Sequence, residues 1–327
     1  MGGKLVDVAR LSGVSTATVS RVINESGYVS TNTRKAVMKA IEELNYRPMK
    51  AASYLASRRL SFKIGVVTSE RILRFTSTEP DEFYSVALSG IKEYLVPNNC
   101  GIEMLHTSNT SSIRDFDGFL LMGGEITREL TRSIKATGKP LVLVDQYIPG
   151  IKVDCVISDG YDGAHYAVDH LLGNSLRKIV HIHGPLTHFG FKDRYDGYVA
   201  AMERRRYLPK TYEYDEHNDN MEAIVDLMLK SYGIPEAIFG ANDTIAIRAI
   251  EVLKQRKLSI PEDVSVVGFD DIVSASFCDP PLTTLKIFKH EMGTMAARRI
   301  YNLLMREDTH PVKIMLFTEF VKRDSSL

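Results

Sequence analysis

Two short amphipathic helices hinged on a glycine, within residues 5–23, constrain this chain more than any other stretch. In Leu5-Val6-Asp7-Val8-Ala9-Arg10-Leu11-Ser12 the apolar Leu5, Val8, Ala9 and Leu11 fall on one helical face. Gly13 supplies a sharp turn, Val14 a plug for the junction, and Ser15 an N-cap whose hydroxyl can meet an early backbone N–H. Along the next helix Val19, Val22 and Ile23 turn inward, which leaves Thr16, Ala17, Ser20 and Arg21 outward. A third helix is expected from Thr31 to Leu44, its stripe of Val37, Ala40, Ile41 and Leu44 closing a small three-helix core. The outward face suits a DNA major groove. Arg21 can form a bidentate pair with guanine, and Thr16 and Ala17 are short enough to let the helix N-terminus approach base edges. Ser20, Tyr28, Ser30, Thr33 and Arg34 are candidate phosphate contacts that would set the docking orientation. The plainer alternative is a helical hairpin with a polar exterior.

Charge favours the polyanion. The chain is neutral overall, with 41 basic and 41 acidic residues. Up to residue 60, however, ten basic side chains (Lys4, Arg10, Arg21, Arg34, Lys35, Lys39, Arg47, Lys50, Arg58 and Arg59) face four acidic ones (Asp7, Glu25, Glu42 and Glu43). That net +6 leaves −6 for the remainder, a basic head on an acidic body. At 327 residues, two or three domains are expected. No run of eighteen apolar residues is present, so no membrane span is expected. The N-terminal stretch lacks the apolar segment of a secretory signal, and a cytoplasmic location follows as the expectation. Cys100, Cys155 and Cys278 are odd in number and scattered, like small buried apolar residues in a reducing compartment.

The segment after the head has its own logic. Pro48 fits the first turn of a helix, where its missing N–H costs little. Residues 49–57 would make a helix of about nine residues, below the ~12–15 that hold alone in water. It is expected to form only against a partner. Ala51, Ala52 and Ala56 permit close approach of a symmetry mate, and Leu55 is an apolar wedge suited to a minor-groove step. An ordinary linker ending in Arg58-Arg59 is the alternative, and it leaves that placement unexplained.

Four strings then stand in order: Asp7-Val8-Ala9, Gly13-Val14-Ser15, Thr18-Val19-Ser20-Arg21-Val22-Ile23-Asn24 and Leu44-Asn45-Tyr46-Arg47-Pro48. With them, residues 4–59 resemble the headpiece and hinge of the LacI/GalR family of bacterial repressors. The resemblance implies that Thr16, Ala17 and Arg21 read bases, that Leu55 intercalates, and that a homodimer binds a near-palindromic operator.

From Lys63 onward short apolar runs alternate with amphipathic helical stretches. The runs are Ile64–Val67, Phe119–Met122, Leu141–Val144, Ile179–Ile182, Ala237–Gly240 and Val264–Gly268; the helices are expected near 161–172, 193–205, 221–232, 243–256 and 290–305. This is doubly wound α/β architecture, long enough for two lobes with a ligand between them at the carboxyl ends of the strands. Asp145, Asn242, Asp243, Asp270 and Asp271 end such strands, Arg194 opens a helix, and Tyr84 follows the first strand's long loop. Carboxylates, an amide, a guanidinium and an aromatic face suit a small polyhydroxylated molecule. Any one of these residues can instead be a helix cap or a surface ion pair.

The strings Lys192-Asp193-Arg194-Tyr195-Asp196-Gly197-Tyr198, Ala241-Asn242-Asp243, Ile260–Asp271 and Pro280-Pro281-Leu282-Thr283-Thr284 extend the resemblance through the body. It implies a periplasmic-binding-protein-like fold with crossovers near residues 160, 289 and 320. It also implies effector contacts at Asp145, Arg194, Asn242 and Asp270, with Tyr84 or Phe83 near the ligand ring. Two departures stand out. Only Thr107–Asp115 separate the second and third strands, where a parallel crossover normally needs a dozen or more residues, so a short loop or single turn is expected. Tyr214–Asn220 is acidic and polar where the family often offers an aromatic.

Other chemistries fit less well. His181 and His183 share a strand face with His188 nearby, but without cysteine or carboxylate partners at ligand spacing. No G-x-G-x-x-G, G-x-x-x-x-G-K-[ST] or G-x-S-x-G motif occurs, and the C-terminus has no leucine heptads. The resulting expectation is an α/β chain with a helix-turn-helix headpiece over 1–46, a hinge helix and linker over 47–60, and a two-lobed effector domain over 61–327. The N-lobe would hold about 61–160 and 290–320, the C-lobe about 161–289 and 321–327. Its function would be that of a DNA-binding repressor, not an enzyme, needing no cofactor and controlled by a small effector, a sugar before a purine or protein corepressor. A sugar carrier or enzyme with an appended head is the rival from another class.

Overall fold

The structure is a computed structural model that describes residues 5–23, 29–44, 61–75, 83–108 and 113–327. The backbone separates into two units, Met1–Leu60 and Ser61–Leu327.

In the first unit, helices α1 (Leu5–Ser12), α2 (Thr16–Ile23) and α3 (Thr31–Glu43) enclose a core of Val8, Ala9, Val19, Val22, Val37 and Ala40. Leu5, Val14, Ile41 and Leu44 pack against it partly buried. Leu11 does not join: it is half exposed. At about 100° per residue it falls roughly 110° from the centre of the Leu5–Val8–Ala9 stripe, outside the face that α2 and α3 cover. The turn is a Schellman closure. Val14 N–H donates to Ala9 O (3.1 Å) and Gly13 N–H to Arg10 O (3.4 Å), with Gly13 at φ +68°. That left-handed φ, not lack of space, is what asks for glycine there. Ser15 Oγ then accepts from Thr18 N–H at 3.1 Å, capping α2, and Ser30 Oγ accepts from Thr33 N–H at 3.2 Å, capping α3.

The second unit begins with β1 (Phe62–Thr68), α4 (Glu70–Phe75), α5 (Tyr84–Leu95), β2 (Cys100–His106), β3 (Gly118–Met122), α6 (Arg128–Lys135), β4 (Leu141–Val144) and β5 (Asp154–Ser158). There follow α7 (Gly160–Gly173), β6 (Ile179–His183), α8 (Phe189–Arg204), β7 (Lys210–Glu213), α9 (Met221–Ser231), β8 (Ala237–Gly240), α10 (Asp243–Gln255), β9 (Ser265–Val267) and α11 (Val273–Phe277). The chain ends with β10 (Thr284–Lys286), α12 (Lys289–Leu304), β11 (Lys313–Leu316) and β12 (Glu319–Val321). One parallel sheet runs β11-β5-β4-β3-β1-β2 and the other β7-β6-β8-β9. β3, β4, β5, β6 and β8 are buried along their whole length, as parallel strands covered on both faces should be.

The chain passes between the two sheets after β5, between β10 and α12, and between β11 and β12; β10 and β12 pair antiparallel with each other. The first lobe is therefore discontinuous, and α12 and β11 return to complete it. α12 lies directly on α5: a Cβ at Gly293 would meet Ala87 O at 1.9 Å and one at Gly90 would meet His290 O at 2.2 Å. A buried ion pair, Arg299 Nε to Asp154 Oδ1 at 2.5 Å, ties α12 to β5, and the same carboxylate oxygen accepts from Val312 N–H just before β11.

The crossover from β2 to β3 passes over β1 with one turn of 3₁₀ helix, Ile113–Asp115, among its described residues. Lys139, in the loop before β4, reaches the end of that turn. Its ammonium donates to the carbonyls of Ile113 (2.9 Å), Arg114 (2.8 Å) and Phe116 (2.5 Å), the orphan acceptors at the end of that turn. Lys139→Met keeps the stem and removes the donors. We expect a lowered urea midpoint, worth about 1–3 kcal/mol; an unchanged midpoint would show that water serves those carbonyls equally well.

Candidate functional site

Two sets of functional side chains are in view, one on each unit. On the head, Thr16, Ala17 and Arg21 are exposed along the outer face of α2, while Ser20, Thr33 and Arg34 are half-buried. Among the described residues the Arg21 side chain makes no ion pair. The hydroxyls of Ser30 and Thr33 lie 2.8 Å apart and serve the α3 cap. Their first task is to fix the start of that helix. Tyr28, Ala52 and Leu55 lie outside the described residues.

On the body, the polar residues named from the strand ends stand in two groups, one on each lobe. In the first lobe Tyr84, nearly buried on α5, donates its hydroxyl to Asp145 Oδ2 at 2.9 Å. Asp145 turns off β4 at φ +54°, a left-handed corner that aims the carboxylate back across the sheet end. In the second lobe Arg194 of α8 is 5% exposed. Its guanidinium lies over the Phe269 ring at 4.0 Å, donates from Nη1 to Ala241 O at 2.5 Å, and approaches Asp270 Oδ1 with Nη2 at 3.0 Å. Among the described residues, its Nε is buried with no hydrogen-bond partner. Asn242 stands next to that carbonyl, and its Oδ1 caps α10 by accepting from Ile245 N–H at 2.8 Å. The expected five thus form a Tyr84–Asp145 pair on one wall and an Arg194–Asp270 pair on the other, with Asn242 alongside.

The walls touch at their rims. A Cβ on Gly124, in the first lobe, would lie 3.1 Å from the His188 ring of the second. Tyr147 meets Phe189 edge to face at 5.5 Å, with the Lys313 ammonium 4.2 Å from the Tyr147 ring. Gln146 braces this rim by donating to Gly124 O and Ile126 O. The Tyr214–Asn220 segment is tied to itself: Tyr214 donates to Asp219 Oδ1 (3.1 Å), and Asp219 is held by Arg248 (2.8 Å). His181 is a core residue. It is fully buried, stacked on Tyr198 and Phe239 with Nδ1 2.9 Å from Phe239 O, and burial lowers its pKa to about 3.

Asp243, in sequence one strand end among several, sits deeper than any of the five. It is fully buried, with Oδ1 2.5 Å from the Thr284 hydroxyl and Oδ2 accepting from Ile272 N–H at 2.9 Å. Lys289, which carried no sequence signal beyond being a cation at a crossover, reaches the same corner.

Comparison with known proteins places these features. The profile for bacterial regulatory proteins of the lacI family matches residues 4–49, and that for a periplasmic binding protein-like domain matches residues 168–326. The HTH-type transcriptional repressor PurR of Actinobacillus pleuropneumoniae serotype 3 (strain JL03) is 31% identical over 335 residues, 98% of this chain and 97% of the relative. The chain belongs to the LacI family. PurR of Haemophilus influenzae (strain PittEE) is 30% identical, covering 93% and 90%. Among solved structures, the transcriptional regulator CelR–cellobiose complex superposes with a TM-score of 0.73 at 28% identity, covering 99% of both chains. The Lac repressor dimer bound to operator and the anti-inducer ONPF does so with 0.71 at 26%, covering 100% of both. Like its LacI-family relatives, the protein is a transcriptional regulator with an effector-binding domain and not an enzyme. Among the described residues no helix is long and apolar enough to cross a membrane.

Burial, then the neighbouring Asp270 charge, raises the Asp243 pKa from 3.8 to about 8. Between those two values the folded protein holds a proton that the unfolded chain releases. This contribution to stability is therefore complete at low pH and is lost as pH rises toward 8. Asp243→Asn can keep both hydrogen bonds without a charge. The urea midpoint of the wild type should fall from pH 6 to pH 8.5 more steeply than that of Asp243→Asn; parallel profiles would mean that the carboxyl is already ionised at pH 6.

Proposed function

We propose that this protein is an operator-binding repressor, acting as a cytoplasmic homodimer, whose grip on a near-palindromic DNA site is set by a small neutral effector held between its lobes. In this reading α2 enters the major groove, Arg21 pairs with a guanine, Thr16 and Ala17 let the helix approach the bases, and Ser20 and Arg34 position the phosphate backbone. Residues 47–60, with Ala52 and Leu55, act as the hinge that meets its symmetry mate on the duplex.

The observation that carries the effector reading is a donor–carboxylate pair at the strand ends of each lobe, Arg194–Asp270 with Arg194 over Phe269 on one and Tyr84–Asp145 on the other. Each wall offers a carboxylate acceptor beside a donor, and the buried Arg194 Nε adds a donor. A sugar, with adjacent hydroxyls that both donate and accept, satisfies such a set without bringing charge into the cleft. The likeness to a regulator solved with cellobiose supports a sugar. The identity to PurR repressors over nearly the whole chain supports a purine as the second reading. Effector binding would change the angle between the lobes and the relation of the two hinge segments, a coupling of about 1–3 kcal/mol that must be reciprocal.

Operator titration separates these parts. Arg21→Ala should weaken specific binding by ~1–3 kcal/mol and relax preference at one base pair. Asp270→Ala should leave the operator complex intact while removing any response to cellobiose or hypoxanthine. Release by cellobiose would establish a sugar inducer, and tightening by hypoxanthine a purine corepressor. Operator affinity that ignores a broad panel of both classes in the wild type would refute small-effector control.

A further inference from the structure

The middle of the three lobe crossings ends at Lys289, the first residue of α12, and this side chain does not stay with its own lobe. It is 7% exposed. Its ammonium donates to the backbone carbonyls of Asp270 and of Asp271, the latter at 3.0 Å, at the carboxyl end of the opposite sheet. It also lies 5.8 Å from the Phe83 ring, the neighbour of Tyr84 on the first lobe's wall. The two carbonyls belong to a costly corner: Asp270 has φ +114° and Asp271 φ +51°, both in the left-handed region and neither a glycine. That corner is what turns the Asp270 carboxylate toward Arg194. Such a backbone persists only where its surroundings over-determine it. Among the described residues, its own lobe and the crossing strand restrain it too: Asp270 N–H donates to Leu285 O at 2.7 Å, and Arg323 Nη2 holds Asp271 Oδ1 at 2.6 Å. From the other lobe, again among the described residues, Lys289 restrains it.

We infer that Lys289 is a positioning residue for Asp270, so that the orientation of the effector-facing carboxylate and the seating of α12 against the second lobe are one event. A lysine suits the task. A compact ammonium with three donors can serve two carbonyls converging on one point, and the nearby Phe83 face tolerates its charge. Among the described residues, the fully buried Asp243 carboxyl also feels the Lys289 charge. Movement of the first lobe that withdraws Lys289 removes the anchor of the Asp270–Asp271 corner. An effector that fixes Asp270 in place would favour the position of α12 that keeps Lys289 engaged.

This inference rests on reading the cleft as the effector site, but its test needs no effector. Hydrogen exchange is followed on the ligand-free full chain for wild type, Lys289→Met and Lys289→Arg. Lys289→Met should speed exchange of the amides of Asp270 and Ile272 at least tenfold, with β8 amides unchanged, and Lys289→Arg should restore most of the protection. Unchanged exchange at the corner, or an equal rise in β8, overturns the proposal. If Lys289→Met does not fold, Lys289→Gln is read by the same criteria. Failure to find any sugar or purine ligand would count against the effector reading alone and leave this result standing.

Discussion

A guanidinium and a carboxylate, Arg194 and Asp270, share the dry end of the second sheet, and much of the surrounding structure serves to hold them there. Neither charge can be buried alone: removing one partner of such a pair typically costs about 3–5 kcal/mol. Arg194 is fixed by stacking on Phe269 and by the Ala241 carbonyl. Asp270 is fixed by a left-handed backbone corner laced to β10 and to Lys289. Directly beneath, Asp243 joins the start of α10 to the loop after β9 and to the crossing strand through Ile272 and Thr284. A ligand that engages this pair therefore touches, within one or two bonds, a segment that leads into the other lobe.

Much of this was legible in the sequence, for reasons particular residues make plain. Parallel strands buried on both faces write themselves as unbroken apolar runs, and Phe119–Met122, Leu141–Val144 and Ile179–Ile182 became β3, β4 and β6. The head was readable because capping and turn chemistry is local: Gly13 and Ser15 each act within five residues of themselves. The short 107–115 crossover was also visible, since it is a matter of counting residues. Leu11 misled because a hydrophobic residue three positions after Val8 looks in phase until the whole stripe is centred.

What escaped was non-local. Lys139, 23 residues from Phe116, closes the 3₁₀ turn, and nothing in its flanking sequence says so. Asp243 appeared as one more polar residue after a strand, while its depth depends on Thr284, 41 residues on. Lys289 stood among the charges that open a helix. The Ser30–Thr33 hydroxyl contact and the cap it gives α3 add a local task to two residues that spacing alone offers to phosphate. Sequence spacing finds groups that share an element; it does not find groups that meet only because two crossovers bring distant segments to one corner.

The helix α12 draws these contacts into a mechanical argument. Its first residue, Lys289, reaches across to the Asp270–Asp271 carbonyls. Its middle is pressed against α5 so closely that Gly293 admits no Cβ. Its later turns hold Asp154 of β5 through Arg299, whose guanidinium also grips Asp308 at 2.6 Å in the loop before β11. A helix fixed at three such points behaves as a rigid strut, because packed interiors switch between discrete arrangements and do not stretch. Displacement at the cleft end is then not absorbed locally. It must be expressed in the seating of α12 on α5 and β5.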